Sequence, residues 1–268
     1  MARPLPTQAR RRYDLQPQLF ELFTTAASED PRAIPFLASL LAVGPPWRPA
    51  YLGGLYHTDE GLALAANLAV ALQPTALPFH NRELSALYDH LLARHRLPAA
   101  VAVRARVERP SLNKLLINGD FDSPKEPTPF DWKLFRAGGL VAEILRDDLR
   151  EDSALRAQFS SFSSRPLAEQ LVLLPPGNYR LSGQTRPEIG DSGARLSWTV
   201  SCVESSDKLG TSAIETRPGD TGWRDFAIRF TVPAHGCAAQ WLRLVPKPAG
   251  RRDTVVAWYD RFSIVEIQ

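Results

Sequence analysis

Leu115-Leu116-Ile117-Asn118-Gly119-Asp120-Phe121 is the stretch on which the reading of this chain turns. An apolar run breaks into Asn-Gly-Asp, a turn signal, and an aromatic residue follows. Composition changes here. Upstream, Ala and Leu recur at helical spacing. Downstream, Gly, Pro and aromatics punctuate segments that alternate with period two. The change sits near Val107 to Lys114, so the chain divides into residues 1–110 and 111–268.

Beyond the turn, Arg195 to Cys202 is the cleanest strand. Leu196, Trp198, Val200 and Cys202 share one face, and Arg195, Ser197, Thr199 and Ser201 the other. Phe226, Ile228, Phe230 and Val232 alternate with Ala227, Arg229 and Thr231, Leu242 and Leu244 with Trp241, Arg243 and Val245, and Phe262 and Ile264 with Arg261 and Ser263. Pro175-Pro176-Gly177-Asn178 and Pro218-Gly219-Asp220 mark turns. Short alternating strands with regular turns predict an antiparallel β-sandwich.

Upstream, Leu84, Leu87, Tyr88, Leu91 and Leu92 form one helical stripe, with Asn81 as its expected N-cap and Pro98 beyond its end. Leu62, Ala65, Ala66, Ala69 and Leu72 form a second, capped by Thr58 or Asp59 and stopped by Pro74. Asp30-Pro31 opens a helix running through Leu41. Further helices are expected over Gln16 to Ala27 and Ala99 to Arg106, with residues 1–14 disordered. Short helices joined by Pro-marked turns suggest antiparallel pairs. The fold class is thus α+β multidomain, an all-α, helical-repeat-like domain followed by an antiparallel sandwich.

The second half resembles carbohydrate-binding modules with a galactose-binding-like jelly roll. Asn118-Gly119-Asp120-Phe121-Asp122 resembles the family's opening Asn-Gly-x-Phe-Glu, with Asp in the last place. Gln170 to Leu181 resembles its Gln-x-Val-x-Leu-x-Pro-Gly-x-Tyr segment, and Trp258-Tyr259-Asp260-x-Phe262 its closing strand. The first half is similar to degenerate tetratricopeptide repeats. The fusion is similar to proteins of bacterial exopolysaccharide and envelope systems. The resemblance supports fold more than function, because one fold hosts many ligands.

The resemblance carries three further expectations. The strands ending at Cys202 and beginning after Cys237 become antiparallel neighbours, which brings the two cysteines within disulfide reach. The alternative is a pair of buried free thiols. A disulfide implies an oxidising compartment, periplasm or cell surface; without one the chain is cytoplasmic. Asp120, Asp122 and Asp260 become candidate oxygen ligands of a structural calcium, the one cofactor expected. The alternative places Asp120 in a turn and Asp260 in a buried hydrogen bond. Lastly, Trp241, Arg243, Arg195 and Thr199 share one sheet surface, joined by Glu169 or Gln170, with Arg186 at its rim. An aromatic ring beside planar polar side chains suits a sugar. Trp132, Trp223 and Trp258 are assigned to the core or its rim.

Composition sets bounds. The 268 residues carry 32 Lys and Arg against 29 Asp and Glu, a net charge of +3, which is no nucleic-acid footprint. Arg10-Arg11-Arg12 and Arg251-Arg252 read as solvated runs. No window has the length and apolarity of a membrane span, and Met1 to Asp14 holds no apolar leader. His57, His80, His90, His95 and His235 fall in no metalloprotease spacing, and no nucleophile elbow or phosphate loop occurs. Glu143, Asp147, Asp148, Glu151 and Asp152 read as a solvated acidic loop. The expected function is non-catalytic binding of polysaccharide or oligosaccharide, with a protein partner docked by the helical domain. The alternatives are a protein-interaction scaffold and a glycan-active enzyme.

Overall fold

The computed structural model describes residues 7–107, 115–123, 125–160, 163–189, 195–212, 222–247 and 254–268. The segments containing Pro218-Gly219-Asp220 and Arg251-Arg252 lie outside these residues, as do 108–114. The chain divides into two compact units, Met1–Pro110 and Ser111–Gln268.

The first unit contains α1 (Thr7–Glu29), α2 (Ala33–Ala42), α3 (Arg48–Leu55), α4 (Asp59–Leu72), α5 (Asn81–Ala93) and α6 (Leu97–Val107). Helix α1 begins at Thr7, so the disorder expected over 1–14 gives way to helix from residue 7 onward. Helix α4 begins as its sequence suggests, with the Thr58 hydroxyl accepting from the Gly61 N–H at 3.0 Å. The cap of α5 moves back one residue. His80 Nδ1 accepts from the Glu83 N–H, and the Glu83 carboxylate accepts from the His80 N–H, a reciprocal capping box. Pro98 stands in the first turn of α6, where its missing N–H costs nothing.

All five other helices contact α4, whose Leu62, Leu64, Ala65, Leu68, Ala69 and Leu72 are buried. This convergence on one helix does not confirm the repeat-like layout, in which each helix pair packs mainly on its neighbours. Among the described residues no helix is long and apolar enough to cross a membrane.

The second unit is two antiparallel sheets. The first, in spatial order, joins β1 (Lys133–Leu134), β5 (Ala168–Val172), β10 (Gln240–Lys247), β7 (Arg195–Cys202) and β8 (Lys208–Thr211). The second joins β2 (Arg136–Ala137), β3 (Leu140–Asp147), β4 (Asp152–Phe159), β11 (Val255–Ile267), β6 (Gly177–Ile189) and β9 (Arg224–Val232). Alternating apolar residues from both sheets meet between them. Trp198, Val200, Leu242 and Leu244 come from the first, and Leu155, Leu181, Ile228 and Tyr259 from the second.

The expected disulfide is present. Register pairs Gln240 with Cys202, and Cys237 lies just before β10, its Cα 5.0 Å from that of Cys202. Buried Gln240 fixes the same corner, accepting from the Leu174 N–H at 3.0 Å and donating to the Cys237 carbonyl at 2.8 Å.

The opening motif closes the sandwich. Asn118, with φ 51°, accepts the Trp132 indole N–H on its carbonyl at 2.9 Å and the Ser123 N–H on its side chain at 3.0 Å. Phe121, Trp132, Trp198 and Phe262 then meet at tilted or edge-on angles in the core. The buried Asp131 carboxylate accepts the Glu126 and Trp132 N–H groups; burial raises its pKa, and these two bonds oppose that rise. Gly119 meets β11, its carbonyl accepting from the Phe262 N–H at 2.9 Å. A Cβ at this position would stand 2.1 Å from the Phe262 carbonyl oxygen. We expect Gly119→Ala to cost about 2–3 kcal/mol, since backbone must shift to admit the methyl group. Asp120→Ala, at an exposed position, should be near neutral. Denaturant unfolding of the two variants checks this; a Gly119→Ala loss no larger than that of Asp120→Ala would show that β11 yields freely.

The contact with Gly119 lies at a bulge. Between Asp260, paired with Gln184, and Ser263, paired with Ser182, β11 carries one residue more than β6. Tyr259 and Phe262, three apart, therefore both face the core, and Arg261 is the additional residue.

Candidate functional site

The outer face of the six-stranded sheet carries the densest array of aromatic and planar polar side chains described in the second unit. Strand alternation sets Arg180, Ser182, Gln184, Arg186 and Glu188 of β6 on this face, because Tyr179, Leu181 and Thr185 turn the other way. Asp225, Ala227 and Arg229 of β9 lie beside them. Trp258 of β11, between core-facing Ala257 and Tyr259, also faces outward.

One end of the face is a ladder. The Arg186 guanidinium lies 5.1 Å from the centre of the Trp258 ring and 5.6 Å from that of Trp223, and the Arg150 guanidinium lies 3.9 Å from the centre of the Trp223 ring. Carboxylates fix these groups. Asp147 accepts from Arg186 at 2.6 Å and from the Trp223 indole N–H at 3.1 Å. Glu188 accepts from the Trp258 indole N–H at 2.6 Å and from Arg156 at 3.1 Å, and Arg156 holds its pKa below the usual carboxylate value. Arg150 donates to Asp260 at 3.1 Å and to Gln184 at 2.5 Å, and Gln184 donates to Asp225 at 2.7 Å. Burial raises the Asp260 pKa, opposed by the Arg261 N–H and by Arg150 and reinforced by nearby Asp152.

The other end is a depression of about 410 Å³ lined chiefly by Arg180, Ser182, Gln184, Asp225 and Arg261. Gly183 and Phe226 also border it, and a Cβ on Gly183 would stand 2.9 Å from the Phe226 ring, so a larger residue would displace that ring. Gln184 belongs to both ends and joins the depression to the ladder.

The residues expected from sequence are distributed differently. Trp241, Arg243, Glu169 and Thr199 do share the outer face of the five-stranded sheet. Arg243 pairs in register with Glu169 and Thr199, donates to Glu169 at 2.8 Å and lies 4.5 Å from the Trp241 ring. Arg195 is on that face, but four residues from Thr199, about 13 Å along the strand. Gln170 is not on it. It is fully buried on the opposite face and donates to the Ile117 carbonyl at 2.9 Å, anchoring the segment before the opening motif. Arg186 belongs to the other sheet and is part of the ladder.

The calcium candidates do not come together either. Asp120 is exposed, Asp122 accepts from the Ser153 N–H at 3.0 Å, and Asp260 is buried against Arg150. Among the described residues no three His, Cys, Asp or Glu side chains form a metal-binding group.

The sequence patterns single out none of Arg150, Gln184, Asp225, Arg180 and Arg261, and they assign Trp223 and Trp258 to the core or its rim. The polar alternation of β6 was a usable signal for Arg180 and Gln184. Trp223 and Arg150 lie outside regular alternation, and only the fold brings them together.

No family model matches the sequence, and no curated protein matches it. Among solved structures, the chain is similar to an arabinose-bound GH51 α-L-arabinofuranosidase at 16% identity and TM-score 0.42, over 56% of this chain and 26% of that one. It thus spans about a quarter of that enzyme. It is similar to the module TmCBM61 in complex with β-1,4-galactotriose at 15% identity and TM-score 0.37, over 58% and 99% of the two chains. It is also similar to the CBM22-1 xylan-binding domain of Paenibacillus barcinonensis Xyn10C at 13% identity and TM-score 0.39, over 56% and 92%. All three TM-scores fall below 0.5, and the reading of the site rests on its own geometry.

Proposed function

We propose that the sandwich binds polysaccharide or oligosaccharide without reacting with it, through the outer face of the six-stranded sheet. The observation that carries this reading is the depression lined by Arg180, Ser182, Gln184, Asp225 and Arg261, continuous through Gln184 with the Trp223 and Trp258 ladder. Planar donors and acceptors lining an open depression match the hydroxyls of a sugar. The network holds these side chains in place before any ligand arrives, which lowers the ordering cost of binding. The carboxylates Asp147, Glu188, Asp225 and Asp260 are each engaged by a donor, an arrangement that suits positioning better than proton transfer. The disulfide supports a setting in an oxidising compartment, such as a bacterial envelope or exopolysaccharide system. Exposed Leu22, Phe36 and Val43 in the helical unit support a docking role there toward protein.

Affinity electrophoresis against a polysaccharide panel tests the reading. We expect retardation by at least one glycan, weakened about tenfold or more in a Gln184→Ala, Asp225→Ala double variant. Loss on Trp241→Ala alone would move the ligand to the five-stranded sheet. Retardation by no glycan would favour the scaffold reading, and chain shortening of a bound glycan would favour an enzyme.

A further inference from the structure

Two arginines on this face have no carboxylate partner among the described residues, and a third shares its only one. Strands β6 and β9 place Arg180 directly opposite Arg229, both exposed. Like charges set opposite one another in an antiparallel pair destabilise the sheet. Neither belongs to an ion pair among the described residues, whereas Arg150, Arg156 and Arg186 nearby are each matched to a carboxylate. Arg180 also lines the depression.

The third is Arg261, the additional residue of the β11 bulge. Its φ of 55° is one that residues other than glycine rarely adopt, and such backbone concentrates at functional positions. The bulge turns its side chain to the same depression, where it is 57% exposed. Its nearest carboxylate, Asp260, is buried against Arg150 at 3.1 Å and stands 3.9 Å from the Arg261 guanidinium. Asp225, the one acid lining the depression among the described residues, accepts from Gln184.

We infer that the glycan taken by this face is anionic, with a carboxylate or sulfate group seated between Arg180, Arg229 and Arg261. Guanidinium groups supply paired N–H donors in a plane that matches either group, and an anion between Arg180 and Arg229 would relieve their mutual repulsion. This inference rests on the glycan-binding reading above and specifies its ligand. A nucleic acid is disfavoured because the net charge of the chain is only +3.

The test is titration calorimetry of the full chain with polygalacturonate, its methyl-esterified neutral form, dextran sulfate and duplex DNA. We expect polygalacturonate or dextran sulfate to bind about tenfold or more tightly than the neutral ester, with a preference that shrinks between about 50 and about 300 mM NaCl. Preference for polygalacturonate assigns the carboxylate, and preference for dextran sulfate the sulfate. An Arg180→Gln, Arg229→Gln variant should bring the ratio close to one while its melting temperature holds or rises, which separates lost recognition from lost folding. Equal binding of charged and neutral glycans overturns the inference and leaves glycan binding standing. An unchanged ratio in the double variant also overturns it, as does binding of DNA as tight as that of the acidic glycan. Absence of binding to every glycan overturns both readings.

Discussion

A Cys202→Ala, Cys237→Ala variant is expected to lose about 4 kcal/mol of stability in the sandwich, the chain-entropy value for the loop this bond closes. The bond spans 35 residues, a loop containing β8 and β9. Without it, the unfolded chain regains the freedom of that whole segment. The folded chain loses a tie at the corner where Gln240 joins the Cys237 and Leu174 backbones. Both cysteines are nearly inaccessible, so reductant should act on the native protein slowly and on the unfolded protein at once. Two measurements check this: the urea midpoint of the sandwich transition with and without reductant, and thiol titration of the denatured protein. Two free thiols before any reductant is added would remove the bond and the compartment argument together.

Arg48→Ala is expected to cost the helical unit about 3–5 kcal/mol, the range for removing one partner of a buried ion pair. Arg48 is 4% exposed, and its guanidinium uses its full set of N–H donors. Nε and Nη2 grip the Glu83 carboxylate at 3.0 and 2.7 Å, Nη1 donates to the Leu41 and Leu77 carbonyls, and Nη2 to that of Pro78. One side chain thus joins the end of α2, the connection into α5 and the α5 capping box. Truncation leaves a buried carboxylate and three carbonyls without their donor. Lysine should restore little, because a point charge cannot reproduce a fork. Circular dichroism across a thermal ramp should show a lower helical transition in both variants, with the sandwich transition unmoved. A shift of less than about 1 kcal/mol in Arg48→Ala would mean that water replaces the lost donors.

Arg48 also shows where sequence reading of the helices stopped. Its helix, α3, has Pro49 at its start and Gly53-Gly54 near its end, and so lacks an apolar stripe long enough to stand out. The helix forms because Tyr51, Leu52 and Leu55 are buried in tertiary contacts. The cap of α5 was missed by one residue for a related reason. Asn81 has the commoner capping side chain, but the Glu83 carboxylate, held by Arg48, reaches back to His80.

In the second unit, period-two alternation was enough to pick out the core-facing residues along β7, β9 and β10. That rule is local, since successive side chains of a strand must point to opposite faces. The pairing of Cys202 with Cys237 followed from resemblance, because it needs only strand order. Alternation could not say which sheet a polar face belongs to. Arg186, expected at the rim of the Trp241 surface, lies on the other sheet, and of the alternatives Glu169 and Gln170 only Glu169 joins that surface, the Gln170 amide being spent on Ile117.

The sequence by its own periodicities determined that this chain makes helices and then a sandwich, and which residues fill most of the sandwich core. The tertiary structure alone decided the candidate site. A strand pattern with period two assigns Arg261 and Phe262 to opposite faces but carries no sign of an extra residue. The bulge lies where the backbone of Gly119, far away in the chain, meets that of Phe262. The extra residue lets Tyr259 and Phe262, three apart, both enter the core, and it sits at a contact between two segments joined only by folding, which no local rule contains.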